Sequence, residues 1–130
     1  MTDGAFAEAR RFCIHDHQIV NEGPWWDWRS CWFNALYTRV LPSHAVELTA
    51  IYLDRHIATI LSAHGGPPPS ARQLQDLAAL IHLCGGGVAE AYVRRGFHLA
   101  EGERCGDHDP ALYLNEVRGL TQYFRRRAAP

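Results

Sequence analysis

Cysteine and histidine residues are the side chains of this sequence whose types and spacing could bind a metal. Zinc takes such ligands in fours, and the chain supplies a Cys-x-His-x-His segment near one end and a Cys-x-x-His segment near the other. Polar surface residues beside two loops explain these segments equally well, since neither is a paired Cys-x-x-Cys motif. Zinc is therefore an alternative interpretation, with these candidate ligands: Cys13, His15, His17, Cys105 and His108.

Cys31 could act as a nucleophile. It lies in "RSCWFNAL", near the start of a predicted helix, where the positive end of the helix dipole would lower the pKa of the thiol. A base would have to come from a distant histidine, and no spacing selects one. A cysteine between Trp28 and Trp32 also packs well as a small hydrophobic residue. The main interpretation therefore assigns no catalytic residue, and a small helical enzyme using Cys31 is the alternative.

Composition limits the class of protein. The chain has 130 residues, 47% of them hydrophobic and 21% charged, with a formal net charge of −1. These values predict one globular domain, residues 1–130, and favour neither nucleic acid nor an anionic membrane as partner. All 13 basic residues are arginine, which excludes a lysine Schiff base and a Walker-type phosphate loop.

The N-terminal sequence and the hydropathy of the chain predict its cellular compartment. The N-terminus lacks the basic-then-apolar layout of a secretory signal, and no apolar run approaches the roughly 20 residues that span a bilayer. We therefore expect an intracellular protein, in the cytoplasm or nucleus. In that reducing environment the four cysteines should be free thiols.

Helical periodicity separated by breaks organises the chain, and no convincing strand pattern is present. A Ser70 cap should start the fourth helix, and the glycines at 85–87 should weaken or bend it. Five helices with short connections predict an all-α fold, a compact five-helix bundle with a central buried helix around 43–63. The predicted segments are an N-terminal helix and linker over 1–22, then helices over 25–40, 43–63, 71–93 and 111–127.

The third of these helices carries adjacent charges within a broad apolar stripe. Asp54 and Arg55 are consecutive and so point about 100° apart, which predicts that Asp54 is half buried. A buried carboxylate needs a partner. Arg29, on the preceding tryptophan-rich helix, could hold it with two hydrogen bonds. The sequence therefore predicts a structural ion pair between Arg29 and Asp54.

Four segments taken in order resemble the cyclin box. "ELTAIYLDRHIA" looks like its second helix, whose Tyr-Leu-Asp-Arg piece is the specific element. "WDWRSCWFNALYTRV", "RQLQDLAALIHLCGGGVAEA" and "YLNEVRGLTQYFRRRAAP" are similar to the first, third and fifth helices. The resemblance covers about residues 25–127 and implies a cyclin-like bundle there, with Arg29 and Asp54 joining the first two helices.

The resemblance also implies a function. Cyclins are non-catalytic protein-binding modules that dock a helical face on a partner such as a cyclin-dependent kinase and regulate it. Carried over by position, the partner-binding residues are Glu116, Glu90 and Gly87, where Gly87 replaces the family's kinase-contacting lysine. No cofactor is implied.

Overall fold

The computed structural model of the protein describes residues 2–15, 18–21, 24, 26–27, 31 and 40–128. The described part is largely helical, as predicted, but it also contains a two-stranded sheet. The helix predicted over 25–40 falls almost entirely outside the described residues. The elements are α1 (Asp3–Ala9), β1 (Phe12–His15), β2 (Gln18–Asn21), α2 (Pro42–His64), α3 (Ala71–Cys84), α4 (Gly86–Arg94) and α5 (Pro110–Ala128).

These elements form two compact units, Met1–Arg55 and His56–Pro130. The helix α2 contributes its residues through Arg55 to the first unit and the remainder to the second. No helix in the described ranges has both the length and the apolar character required to cross a bilayer.

The first unit begins with a short helix and a hairpin. Thr2 caps α1 by accepting a hydrogen bond from the Ala5 amide at 3.3 Å. The helix ends at Ala9, and after a turn at Arg10 and Arg11 the chain enters β1, which pairs antiparallel with β2. The prediction of a chain without strands is therefore wrong. Strands of four residues are too short to show a clear period of two.

Among the described residues of the first unit, the hydrophobic core cluster is small. Ala9, Leu48 and Ile51 are fully buried at its centre, whereas Val46 on the same helix as Leu48 is exposed. The bounds predicted for this helix, 43–63, agree with the observed α2, but its burial is narrower than the sequence indicates. The partly buried residues packed around the centre are Phe6, Phe12, Ile19 and Tyr52.

The second unit is built from α3, α4 and α5 with the end of α2. Ser70 and Gln73 form a reciprocal capping box at the start of α3, which confirms the predicted cap. The chain then breaks at Gly85, whose φ of +78° lies in the left-handed region that favours glycine. The predicted bent helix is therefore two helices, and α3 packs against both α4 and α5.

All four cysteines form disulfides, Cys13 with Cys31 and Cys84 with Cys105. The Cα atoms are 5.4 Å and 5.1 Å apart, within the range that a disulfide requires. The expectation of free thiols is therefore wrong. The partners are 18 and 21 residues apart in sequence, so only the fold reveals which cysteines meet.

Candidate binding surface

The helix α5 has an inner face that packs on α3 and an outer face that is exposed. Because an α-helix turns by about 100° per residue, Leu114, Arg118 and Thr121 fall on one side of it. Leu114 is buried, and the other two are half buried. Each face has a different chemistry.

A buried ion pair holds the inner face. The guanidinium of Arg118 donates from Nε to Asp76 Oδ1 at 2.9 Å and from Nη2 to Asp76 Oδ2 at 2.6 Å. The Asp76 side chain is 4% exposed and that of Arg118 is 28% exposed. Two parallel bonds from one guanidinium are the strongest way to satisfy a buried carboxylate. This pair therefore joins α3 to α5.

Neighbouring groups complete the inner face. The Tyr92 hydroxyl lies 3.5 Å from Asp76 Oδ2, to which it donates. Burial, followed by the charge of Asp76, raises the pKa of Tyr92. The hydrogen bond to Asp76 raises the pKa of Arg118, so Tyr92 stays neutral and Arg118 charged at neutral pH. The Gln75 amide donates to the Thr121 hydroxyl, which adds a third hydrogen bond between α3 and α5.

The outer face of α5 exposes large apolar side chains. Leu112, Leu120, Tyr123 and Phe124 are each between 47% and 63% exposed. At about 100° per residue they lie within about 120° of one another around the helix. Clustered apolar exposure of this kind marks interaction sites more often than single exposed residues do. We name this face the outer stripe; its residues are Leu112, Glu116, Leu120, Tyr123, Phe124 and Arg127.

Charges occupy defined positions within the outer stripe. Glu116 is exposed and lies one helical turn from Leu112 and one from Leu120. The Arg127 guanidinium stacks over the Tyr123 ring, 4.7 Å from its centroid. The stripe therefore combines an acid in its middle with a cation at its C-terminal end, where the helix dipole favours positive charge.

The other two predicted partner-binding residues lie on α4. Gly87 and Glu90 are both exposed. Glu90 accepts a hydrogen bond from Arg94 at 2.8 Å in an i,i+4 ion pair. The Glu90 and Arg94 side chains line a cavity of about 140 Å³, together with His64 and apolar residues of α2 and α4. The structure thus shows all three predicted partner-binding residues as exposed, on two helices of the second unit.

The structure does not bury Asp54, which was predicted to form a half-buried ion pair with Arg29. Asp54 is exposed, so the expectation of a half-buried carboxylate there is wrong. The cause is the narrow burial of α2, which leaves much of its circumference in solvent. Arg29 lies outside the described residues, and its pairing with Asp54 stays a prediction.

The disulfides remove the free thiols that both alternative functions, a Cys31 nucleophile and a zinc site, would need. Cys31 is bonded to Cys13 and therefore has no free thiol with which to attack a substrate. Cys105 is bonded to Cys84, so neither cysteine proposed for zinc is available as a thiolate ligand. His17 lies outside the described residues. Within those residues, no three His, Cys, Asp or Glu side chains are placed to hold a metal ion.

The buried pair of Asp76 and Arg118 is the feature that sequence reasoning missed. A signal for it exists, because Asp76 lies one turn before Leu80 on the apolar side of α3. A carboxylate in that position requires a cation from another element. The sequence alone does not identify Arg118 as that cation, since it lies 42 residues away.

Comparison with known proteins yields no match: no family model, curated protein or solved structure matches this chain. The resemblance to the cyclin box therefore rests on the quoted segments alone and stays a prediction.

Proposed function

We propose that this protein is a non-catalytic binding module that docks the outer stripe of α5 on a protein partner. The exposure of Leu112, Leu120, Tyr123 and Phe124 on one side of α5 carries the proposal. Transfer of one such side chain from water to an apolar contact is favourable by about 1.5–3 kcal/mol. The inner face holds the helix in place, so the stripe is presented on a fixed support.

The chemistry of the stripe defines the partner segment. A helix of apolar anchors three and four residues apart matches a helical face of this kind. A lysine or arginine between those anchors would meet Glu116, and an acidic residue at one end would meet Arg127. We therefore propose an amphipathic helix with this charge pattern as the bound segment.

The compartment bears on which protein supplies that helix. The cyclin resemblance predicts a cyclin-dependent kinase and an intracellular location, in the cytoplasm or nucleus. Structural disulfides are typical of oxidising compartments and rare in the cytosol, and all four cysteines of this chain are paired. We give the disulfides more weight than the resemblance, which depends on one short specific segment, and we propose an oxidising compartment.

A titration with two synthetic helical peptides tests the proposal. Both peptides carry leucines at three- and four-residue spacing, and they differ by a lysine or a glutamate between those leucines. We expect the protein to bind the lysine peptide more tightly by about tenfold, or about 1.4 kcal/mol. The Glu116→Ala variant should lose this preference, and the control variant Gln122→Ala should keep it.

Two outcomes would overturn parts of the proposal. If the protein binds neither peptide, the outer stripe is not a docking face. If Glu116→Ala keeps the lysine preference, the peptides bind elsewhere. A purified cyclin-dependent kinase serves as a further probe: binding that Glu116→Ala weakens would support the cyclin-like partner, and absence of binding would remove that partner alone.

A further inference from the structure

We infer that the outer stripe of α5 binds α5 of a second copy of this chain, with the two helices antiparallel. The inference rests on the proposed function, because it takes the stripe as a docking face, and it names the partner.

The centre of the stripe follows a heptad spacing. Glu116, Leu120, Tyr123 and Arg127 are separated by four, three and four residues, the pattern that lets two helices pack side by side along a continuous seam. With the symmetry axis between positions 121 and 122, Leu120 of each copy faces Tyr123 of the other. In the same alignment, Glu116 of each copy faces Arg127 of the other.

The charges select the antiparallel arrangement. A two-fold axis makes every contact occur twice, so the antiparallel dimer contains two pairs of opposite charge, each between Glu116 and Arg127. A parallel, in-register pair would place Glu116 against Glu116 and Arg127 against Arg127. Like charges facing each other oppose association. The stripe is therefore complementary to itself in one orientation.

The edges of the stripe also accommodate a second helix. A Cβ added at Gly119 would meet no atom within 4 Å, so this edge leaves room for the helices to approach closely. At the opposite edge, Phe124 is exposed and lies where the antiparallel alignment brings Val117 of the second copy. The two copies would thus make apolar contacts at the centre of the seam, between Leu120 and Tyr123, and at one edge, between Phe124 and Val117.

The expected dimer is weak. In this alignment the facing residues run from Glu116 to Arg127, a length of about 18 Å at 1.5 Å per residue. One helix pair of this length buries less surface than a stable complex does. Interfaces below about 1,200 Å² in total belong to weak and transient associations. We expect a dissociation constant in the micromolar range. Because the dimer covers Glu116, self-association and binding of another partner at the stripe would compete.

Charge-reversal variants of the full-length, disulfide-bonded chain test the inference by sedimentation velocity over a range of concentrations. Each contact between position 116 of one copy and position 127 of the other is called a charge layer. Glu116→Arg places two arginines in each charge layer, and Arg127→Glu places two glutamates there. Each variant alone should weaken dimerisation by about tenfold or more. An equimolar mixture of the two should associate again, because every charge layer then pairs arginine with glutamate. Gln122→Arg, exposed on another side of α5, should dimerise as the unmodified chain does.

The results separate this inference from the proposed function. A chain that stays monomeric at all concentrations, or a mixture of Glu116→Arg with Arg127→Glu that does not associate, overturns the inference. A dimer that Glu116→Arg does not weaken also overturns it, because the contact then lies elsewhere. If the monomeric chain still discriminates between the two test peptides, the proposed function stands and only the identity of the partner is wrong.

Discussion

The two faces of α5 carry similar kinds of residue in different surroundings. The inner face presents Leu114 and a guanidinium, Arg118, to α3, where the cation meets the buried carboxylate of Asp76. The outer face presents larger apolar residues around an acid, Glu116, and leaves them in solvent. Apolar spacing alone therefore does not separate the buried residues of this helix from its exposed ones. If the outer face serves the proposed binding, stability and binding can be altered separately.

Arg118→Ala should have the largest effect on stability. It leaves the carboxylate of Asp76 buried without its main partner, and breaking a buried pair in this way costs about 3–5 kcal/mol. Urea denaturation followed by circular dichroism measures the loss. The matched control is Arg94→Ala, because Arg94 pairs with Glu90 in a solvent-exposed ion pair; its effect should be below about 1 kcal/mol. Equal effects of the two variants would show that the Asp76 pair does not hold the inner face.

Removal of the Cys84–Cys105 disulfide should have the next largest effect. This bond attaches the segment that precedes α5 to the end of α3, so it supports the same packing as the ion pair. The double variant Cys84→Ser, Cys105→Ser should lose about 2–4 kcal/mol. Hydrogen exchange should show faster exchange in α3 and α5. Unchanged stability in the double variant would mean that the disulfide adds nothing to the inner face.

Thr121→Val should have a smaller effect. It keeps the shape of the side chain but removes the hydroxyl that accepts from Gln75 and donates to the Val117 carbonyl. Loss of such a bond costs about 1 kcal/mol. The measurement is the shift in the urea midpoint. A midpoint that does not move would limit the anchoring of α5 to the ion pair and the disulfide.

Local signals in the sequence predicted much of the second unit. The cap at Ser70, the interruption by the glycines at 85–87 and the helix ending near Arg127 are visible because capping and glycine effects act within a few residues. The bounds of α2 followed from its apolar run for the same reason. Glu116 is exposed, and its partner-binding role stays a prediction. Neither the pattern nor the resemblance distinguishes the outer stripe from a core face.

Features that depend on distant residues were not predictable in the same way. The hairpin in the first unit requires two four-residue strands to meet, and neither strand has enough length to show its period. The buried pair was expected at Asp54, where the apolar stripe is broad, yet it lies at Asp76, where α5 brings a cation. Pairing of the cysteines depends on the fold in the same way. Each of these contacts depends on packing between elements that are distant in sequence, and such packing leaves no local pattern in the sequence.

We propose that the outer stripe of α5 serves contact with a partner and not folding. One double variant, Leu120→Gln with Phe124→Gln, tests it most directly, because both side chains are exposed and glutamine is a good helix former. We predict a free energy of unfolding within about 1 kcal/mol of the unmodified chain, together with loss of dimerisation and of binding to the lysine peptide. A folded double variant that still dimerises and still binds the peptide would contradict the claim.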